Sequence, residues 1–129
     1  ATLANNATAI SATISNDATT EEALHGIFEL TTGMSVAPAD RSPIDIYILR
    51  TVDGTNFEDA TAGAGGVTPR RAPDYTFGIR NITASQVQIS PDIPLPARDF
   101  QVQVVNRTGQ TMASGWTLDM IFVRGAVRE

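Results

Sequence analysis

The chain contains 129 residues, 42% of them hydrophobic and 18% charged, which predicts a single folded domain spanning 1–129 with a hydrophobic core. Its formal net charge of −5 argues against a nucleic-acid partner, because non-specific binding to phosphates requires a basic surface. The absence of cysteine excludes a disulfide framework and a thiolate metal site.

The first part of the chain is rich in small and polar residues. Residues 1–8 are predicted to form a flexible N-terminal arm, and 9–15 has the character of a strand with imperfect alternation. Thr19 and Glu22 have the spacing of a helix capping box, but Gly26 follows so soon that the stretch fits one helical turn and a plain loop equally well.

The segment 44–50 predicts a strand with apolar residues on both faces. Isoleucine occupies every second position from Ile44 to Ile48, and Tyr47 and Leu49 make the opposite face partly apolar. Strands of this kind are usually central in a sheet or covered on both sides.

A long loop is predicted at 51–74, where no strand pattern appears. It includes the low-complexity segment 60–66 and the pair Arg70 and Arg71, which lies between two prolines. Loops of this length in compact domains are usually functional or disordered.

The clearest alternation lies in 99–104. Three apolar residues alternate there with three polar ones, which predicts a strand with one face in the core and the other in water. Turn residues follow at 106–109, and a looser alternating run at 118–123 completes a strand–turn–strand unit. The alternating residues are Phe100, Val102 and Val104 against Asp99, Gln101 and Gln103.

These patterns predict an all-β fold. Short strands, Gly/Pro/Asn turns and no convincing long helix favour an antiparallel β-sandwich or jelly roll of about seven or eight strands. The predicted strands are 9–15, 27–31, 44–50, 75–79, 86–89, 99–104 and 118–123.

Little in the sequence predicts reaction chemistry. His25 is the only histidine, and neither a nucleophile-elbow motif nor further histidines for a zinc site accompany it. The oxygen-rich segment 53–59 departs from the EF-hand pattern, and its residues favour a turn over a calcium site. Trp116, Tyr47 and Tyr75 are candidates for a sugar platform, although aromatic residues on strands more often serve a core or interface. We therefore predict a non-enzymatic protein with no catalytic, metal-binding or cofactor-binding residue.

Three segments in this order resemble small virion structural proteins of tailed bacteriophages. They are 46–57, a strand that runs into an Asp-Gly-Thr-Asn turn; 95–100, which reads Leu-Pro-Ala-Arg-Asp-Phe; and 104–109, which reads Val-Val-Asn-Arg-Thr-Gly. That group includes capsid decoration (cement) proteins with jelly-roll or related β-sandwich folds, and the resemblance extends over roughly 10–124.

The resemblance implies a protein that binds the outside of the head in many copies and reinforces it. The partner it implies is the major capsid protein, and the location is the virion surface after synthesis in the host cytoplasm. A homo-oligomer with closed symmetry, for example a trimer, suits this role. The sequence contains neither a secretory signal pattern nor an apolar run of about 18 residues, so no membrane partner is expected.

We predict that the N-terminal segment and the long loop make the contacts to the capsid and to neighbouring copies. Deletion of 1–8 is expected to weaken capsid binding and to leave the fold intact. A tail or head-fibre component, a carbohydrate-binding module and a small hydrolase that uses His25 are the alternatives. The candidate contact residues are Thr2, Leu3, Asn5, Arg70 and Arg71.

Overall fold

The computed structural model describes residues 1–16 and 24–123 and shows an all-β fold. Every strand pairing in it is antiparallel, and the described residues contain no helix, hence none that is long and apolar enough to cross a membrane. The capping-box pair Thr19 and Glu22 lies outside the described residues. The strands are β1 Ala7–Ile10, β2 His25–Thr32, β3 Ser42–Leu49, β4 Gly63–Ala64, β5 Tyr75–Ile79, β6 Gln86–Ile89, β7 Ile93–Pro94, β8 Gln101–Asn106 and β9 Thr117–Val123.

The strands form two sheets. The first has five strands in the order β4-β1-β8-β3-β5. The second is built around β2, which pairs with β9 from His25 to Thr31 and also with β6 and β7. Because β9 occupies one edge of β2 along this length, β6 and β7 share the other edge.

The core lies between the two sheets. On β2, buried and half-buried positions alternate, and Phe28 and Leu30 point towards the first sheet. They belong to one cluster with residues of the first sheet that include Ile44, Ile46 and Phe77. Burial of each such side chain stabilises the fold by about 1.5–3 kcal/mol. The predicted all-β class is confirmed with two antiparallel sheets, and the described residues form nine short strands in an arrangement consistent with a β-sandwich.

Strand β3 lies inside the first sheet between β8 and β5, and both of its faces are covered, as its apolar pattern predicted. The isoleucines face the main core, whereas Tyr47 and Leu49 lie on the outer face of the first sheet. There they form a second small cluster with Val105 of β8, against which Phe57 of the long loop packs. The first sheet therefore carries apolar side chains on both faces.

The long loop folds over this outer face. Most of 51–74 lacks strand structure as predicted, but it includes the two-residue strand β4, which pairs with β1 and extends the first sheet. The Gln103 amide donates hydrogen bonds to the carbonyl oxygens of Val67 (2.8 Å) and Thr61 (3.3 Å) in this loop. The prediction that Gln103 faces water is wrong, because the loop buries it completely.

The strand–turn–strand unit exists, but its two strands do not pair with each other. The Asn106 side chain accepts hydrogen bonds from the backbone amide (3.0 Å) and hydroxyl (2.7 Å) of Thr108, and Gly109 has a φ of +86°. This confirms the predicted turn. Strand β8 lies between β1 and β3, whereas β9 crosses to the second sheet and pairs with β2.

The N-terminal segment is part of the fold rather than a free arm. Leu3 is buried, and its backbone exchanges hydrogen bonds of 3.1 and 2.9 Å with Met112. Asn106 donates from its side-chain amide to the Leu3 carbonyl at 2.9 Å, and Ala7 and Thr8 of β1 are buried. The predicted flexible arm is corrected, because the apolar side chain and backbone of this segment find partners more than 100 residues away.

Candidate functional site

Arg71 is fixed inside the long loop by several partners. Its guanidinium donates to both carboxylate oxygens of Glu58, at 3.0 and 2.9 Å, and to the Asp74 carboxylate at 2.9 Å. It also donates to the Ile48 carbonyl at 2.8 Å and lies 5.6 Å from the centre of the Tyr47 ring. This planar fork joins the loop to the outer face of β3.

The same contacts perturb the ionisation of the loop. The hydrogen bonds from Arg71 hold the pKa of Glu58 at about 2, although partial burial opposes this shift. Arg50 makes a weaker contribution from the solvent side, where it forms an ion pair with Glu58 at 3.2 Å. In return, Glu58 and Asp74 raise the pKa of Arg71 above its ordinary range.

Of the two predicted arginine anchors, only Arg70 points outward. It is exposed and forms no ion pair with any part of the chain that the structure describes, so its contact role stays a prediction. Arg71 is occupied by internal partners. Sequence reasoning could not separate the two neighbours, because the acidic partners of Arg71 become close only when the loop folds.

Of the predicted contact residues near the N-terminus, too, one is exposed and others have partners within the fold. Thr2 is exposed, whereas Leu3 is buried. The Asn5 side chain accepts a hydrogen bond from the Gly109 amide at 2.9 Å and so helps to hold a turn. Deletion of 1–8 removes these contacts and part of β1, and we now expect it to destabilise the fold.

The acidic segment after β3 forms a turn. One Asp53 carboxylate oxygen accepts hydrogen bonds from the backbone amides of Thr55 and Asn56, both at 2.8 Å. The other oxygen accepts one from the Asn56 side-chain amide at 2.9 Å. The amide hydrogen bonds, that of Asn56 above all, hold the pKa of Asp53 below its ordinary range. Among residues 1–16 and 24–123, no group of three or more His, Cys, Asp or Glu side chains is arranged to hold a metal ion.

The aromatic residues considered for a sugar platform lie on different surfaces. Tyr47 is buried under the long loop, and Tyr75 packs edge-on against Phe77 with ring centres 4.9 Å apart. Trp116 is half-buried at a cleft near β9. The only histidine, His25, is the first residue of β2 and pairs with Val123 and Pro94.

The cleft beside Trp116 is where the sandwich is open. On one side of the sandwich, β5 of the first sheet contacts β6 of the second sheet. On the opposite side, between β1 and β9, a cleft of about 650 Å³ reaches the core. Its lining is mostly apolar and includes Ile14, Trp116, Leu118, Met120 and Phe28. The described chain shows no constellation there that resembles a nucleophile with its base.

The outer face of the second sheet is the surface with the most exposed aliphatic area on a regular element. Val87, Ile89 and Ile121 are 55%, 62% and 63% exposed there. No loop of the described chain covers them as 51–74 covers the first sheet. We call this surface the open face. Its members, which share one side of β6, β2 and β9, are Val87, Ile89, His25, Ile27, Glu29, Thr31, Thr117, Asp119, Ile121 and Val123.

The strand register places two acidic residues within this apolar surface. Glu29 of β2 lies directly opposite Asp119 of β9, and Ile89 of β6 lies on the other side of Glu29 in the same row. The next row on the same face pairs Ile27 with Ile121. Directly opposed side chains have Cβ atoms about 4.5–5.5 Å apart. Neither carboxylate forms an ion pair within the described part of the chain.

Sequence reasoning missed the open face although part of its signal was present. The alternation of 86–89 and 118–123 shows that every second residue shares a face, but not which set faces the core. The side chains under the long loop pack within the fold, whereas no loop among the described residues covers the open face. Comparison with known protein families and with curated proteins finds no match to this chain.

Proposed function

We propose that this protein is a non-enzymatic virion structural protein of a tailed bacteriophage that binds the outer surface of the head in many copies and stabilises it. The observation that carries the proposal is the open face, with Val87, Ile89 and Ile121 more than half exposed on one side of the second sheet. Contiguous exposed apolar surface on a folded domain is typical of a protein–protein contact.

Decoration suits a domain of this kind because the capsid repeats the same surface many times. A contact that is weak for one copy becomes strong when neighbouring copies or an oligomer bind together, since each bound copy raises the effective concentration of the next. The partner in this proposal is the major capsid protein, and the two-sheet architecture is compatible with the jelly-roll or related folds of decoration proteins. A homo-oligomer such as a trimer belongs to the same proposal.

The experiment is co-sedimentation of the purified full chain with phage heads assembled without it, together with light scattering of the free protein. We expect saturable binding at a fixed number of copies per capsid subunit, and heads that resist heat or chelator better when saturated. Absence of binding to heads at any concentration would overturn the proposal. Binding to isolated tails instead of heads would favour a tail component.

A further inference from the structure

The acidic pair on the open face breaks a general rule of sheet pairing. Glu29 and Asp119 are directly opposed across β2 and β9, and like charges in this position destabilise a sheet. Their neighbours on the face, Ile89, Ile27 and Ile121 and in the adjacent row Thr31 and Thr117, are uncharged and neutralise nothing. Proteins tend to retain such local conflicts at functional sites, where a ligand or partner relieves them.

Resting on the proposed function, we infer that the open face docks on an apolar area of the capsid protein that presents an arginine, whose guanidinium enters between Glu29 and Asp119. A guanidinium is planar, carries several donors and is weakly hydrated, so one group can donate to two carboxylates on adjacent strands. The surrounding Ile89 and Ile121 exclude water on docking, which strengthens each charged hydrogen bond.

Charge complementarity favours this occupant over a second copy of the same face. In a two-fold contact between two open faces that is centred on this pair, Glu29 and Asp119 would approach the same pair of the other copy, so that four carboxylates would face each other. Opposed like charges at an interface cost several kcal/mol. A cationic side chain from a different surface removes this repulsion and also the repulsion within the pair.

The test measures head binding of the full chain with both carboxylates neutralised, Glu29→Gln with Asp119→Asn. The control, Asp40→Asn with Asp92→Asn, makes the same change in net charge at two exposed positions outside both the open face and the long loop. We expect the first variant to bind heads at least about tenfold more weakly and with less dependence on salt, and the control to stay within about twofold of the wild type. Thermal unfolding checks both folds, and the first variant is expected to be at least as stable as the wild type, because repulsion is removed.

The possible outcomes separate this inference from the proposed function. If the wild type binds heads and the Glu29→Gln, Asp119→Asn variant binds equally well, or the control loses as much affinity, the inference is overturned and decoration stands. If light scattering shows that the wild type self-associates and that neutralisation abolishes this, the occupant is a second copy, and the inference is again overturned. A wild type that does not bind heads overturns both.

Discussion

The two outer faces of the sandwich carry similar apolar side chains and differ in what covers them. On the first sheet, Tyr47, Leu49 and Val105 are buried under the long loop 51–74, and we call this the sealed face. On the second sheet, residues such as Ile121 stay in contact with solvent. Within the described part of the chain, the long loop seals one apolar face and no loop covers the other, which is the face that the proposed function assigns to the capsid contact.

The largest expected effect breaks the seal itself. A Cβ atom at Gly66 would collide with the Thr61 carbonyl oxygen and the Thr8 hydroxyl, so Gly66→Ala forces the loop away from β1. We expect a loss of about 2–4 kcal/mol in the free energy of unfolding, measured by urea denaturation. The matched control is Gly65→Ala, where a Cβ meets nothing within 4 Å and only the φ of +66° is strained. The control is expected to lose about 1 kcal/mol, and equal losses would contradict the tight seal.

The next effect concerns the ion pairs that hold the loop down. Arg71→Met leaves the half-buried Asp74 without a cation and Glu58 with only the exposed Arg50, and we expect a loss of about 2 kcal/mol, below the range for fully buried pairs. Arg50→Met removes an arginine that is 59% exposed from the same Glu58, and about 0.5 kcal/mol or less is expected. Denaturant midpoints of the two variants measure the difference. Similar midpoints for the two variants would show that the geometry of the Arg71 guanidinium contributes nothing to stability beyond its positive charge.

The pH dependence of stability reports the same network with a smaller effect. The pKa of Glu58 is lowered to about 2 in the folded protein from an ordinary value of 4.5, so the folded state favours the ionised form. The resulting stability is fully present above about pH 4.5 and is lost as the pH falls towards 2. About 1–2 kcal/mol is expected from this group, since solvent screens part of the interaction. Unfolding of Glu58→Gln over this range should show a correspondingly shallower decline, and an unchanged decline would assign the effect to other carboxylates.

Local patterns predicted most strands, because alternation is a property of neighbouring residues. The predicted segments 75–79 and 86–89 coincide with β5 and β6. Pairing was not predictable, because β9 joins β2 from the other end of the chain. The burial of Leu3 left no periodic signal either, since it depends on Met112, a contact that only the folded chain creates.

The candidate site was predicted less well than the fold, for a related reason. A charged pair in a proline-rich loop looks like a contact site, and the sequence does not show that Glu58 and Asp74 turn towards Arg71. The alternating pattern correctly places Gln103 on the face opposite to the core. It does not predict that the long loop forms a second layer over that face. What covers a face depends on contacts between residues that are far apart in the sequence, and local alternation does not report these contacts.

The smallest expected effect is the sharpest test of the comparison, because one substitution can be made on both faces. Val105 on the sealed face is 1% exposed and Val87 on the open face is 55% exposed. Val105→Thr exchanges a buried methyl group for a hydroxyl between Thr8 and Asp45, and the loss of apolar burial should cost about 1 kcal/mol in the free energy of unfolding. Val87→Thr keeps the β-branched shape in solvent and should change that free energy by less than about 0.5 kcal/mol. If Val87→Thr nevertheless weakens head binding, the exposed methyl groups of the open face serve a partner and not the fold. Equal destabilisation by the two variants would mean that the open face is covered in solution.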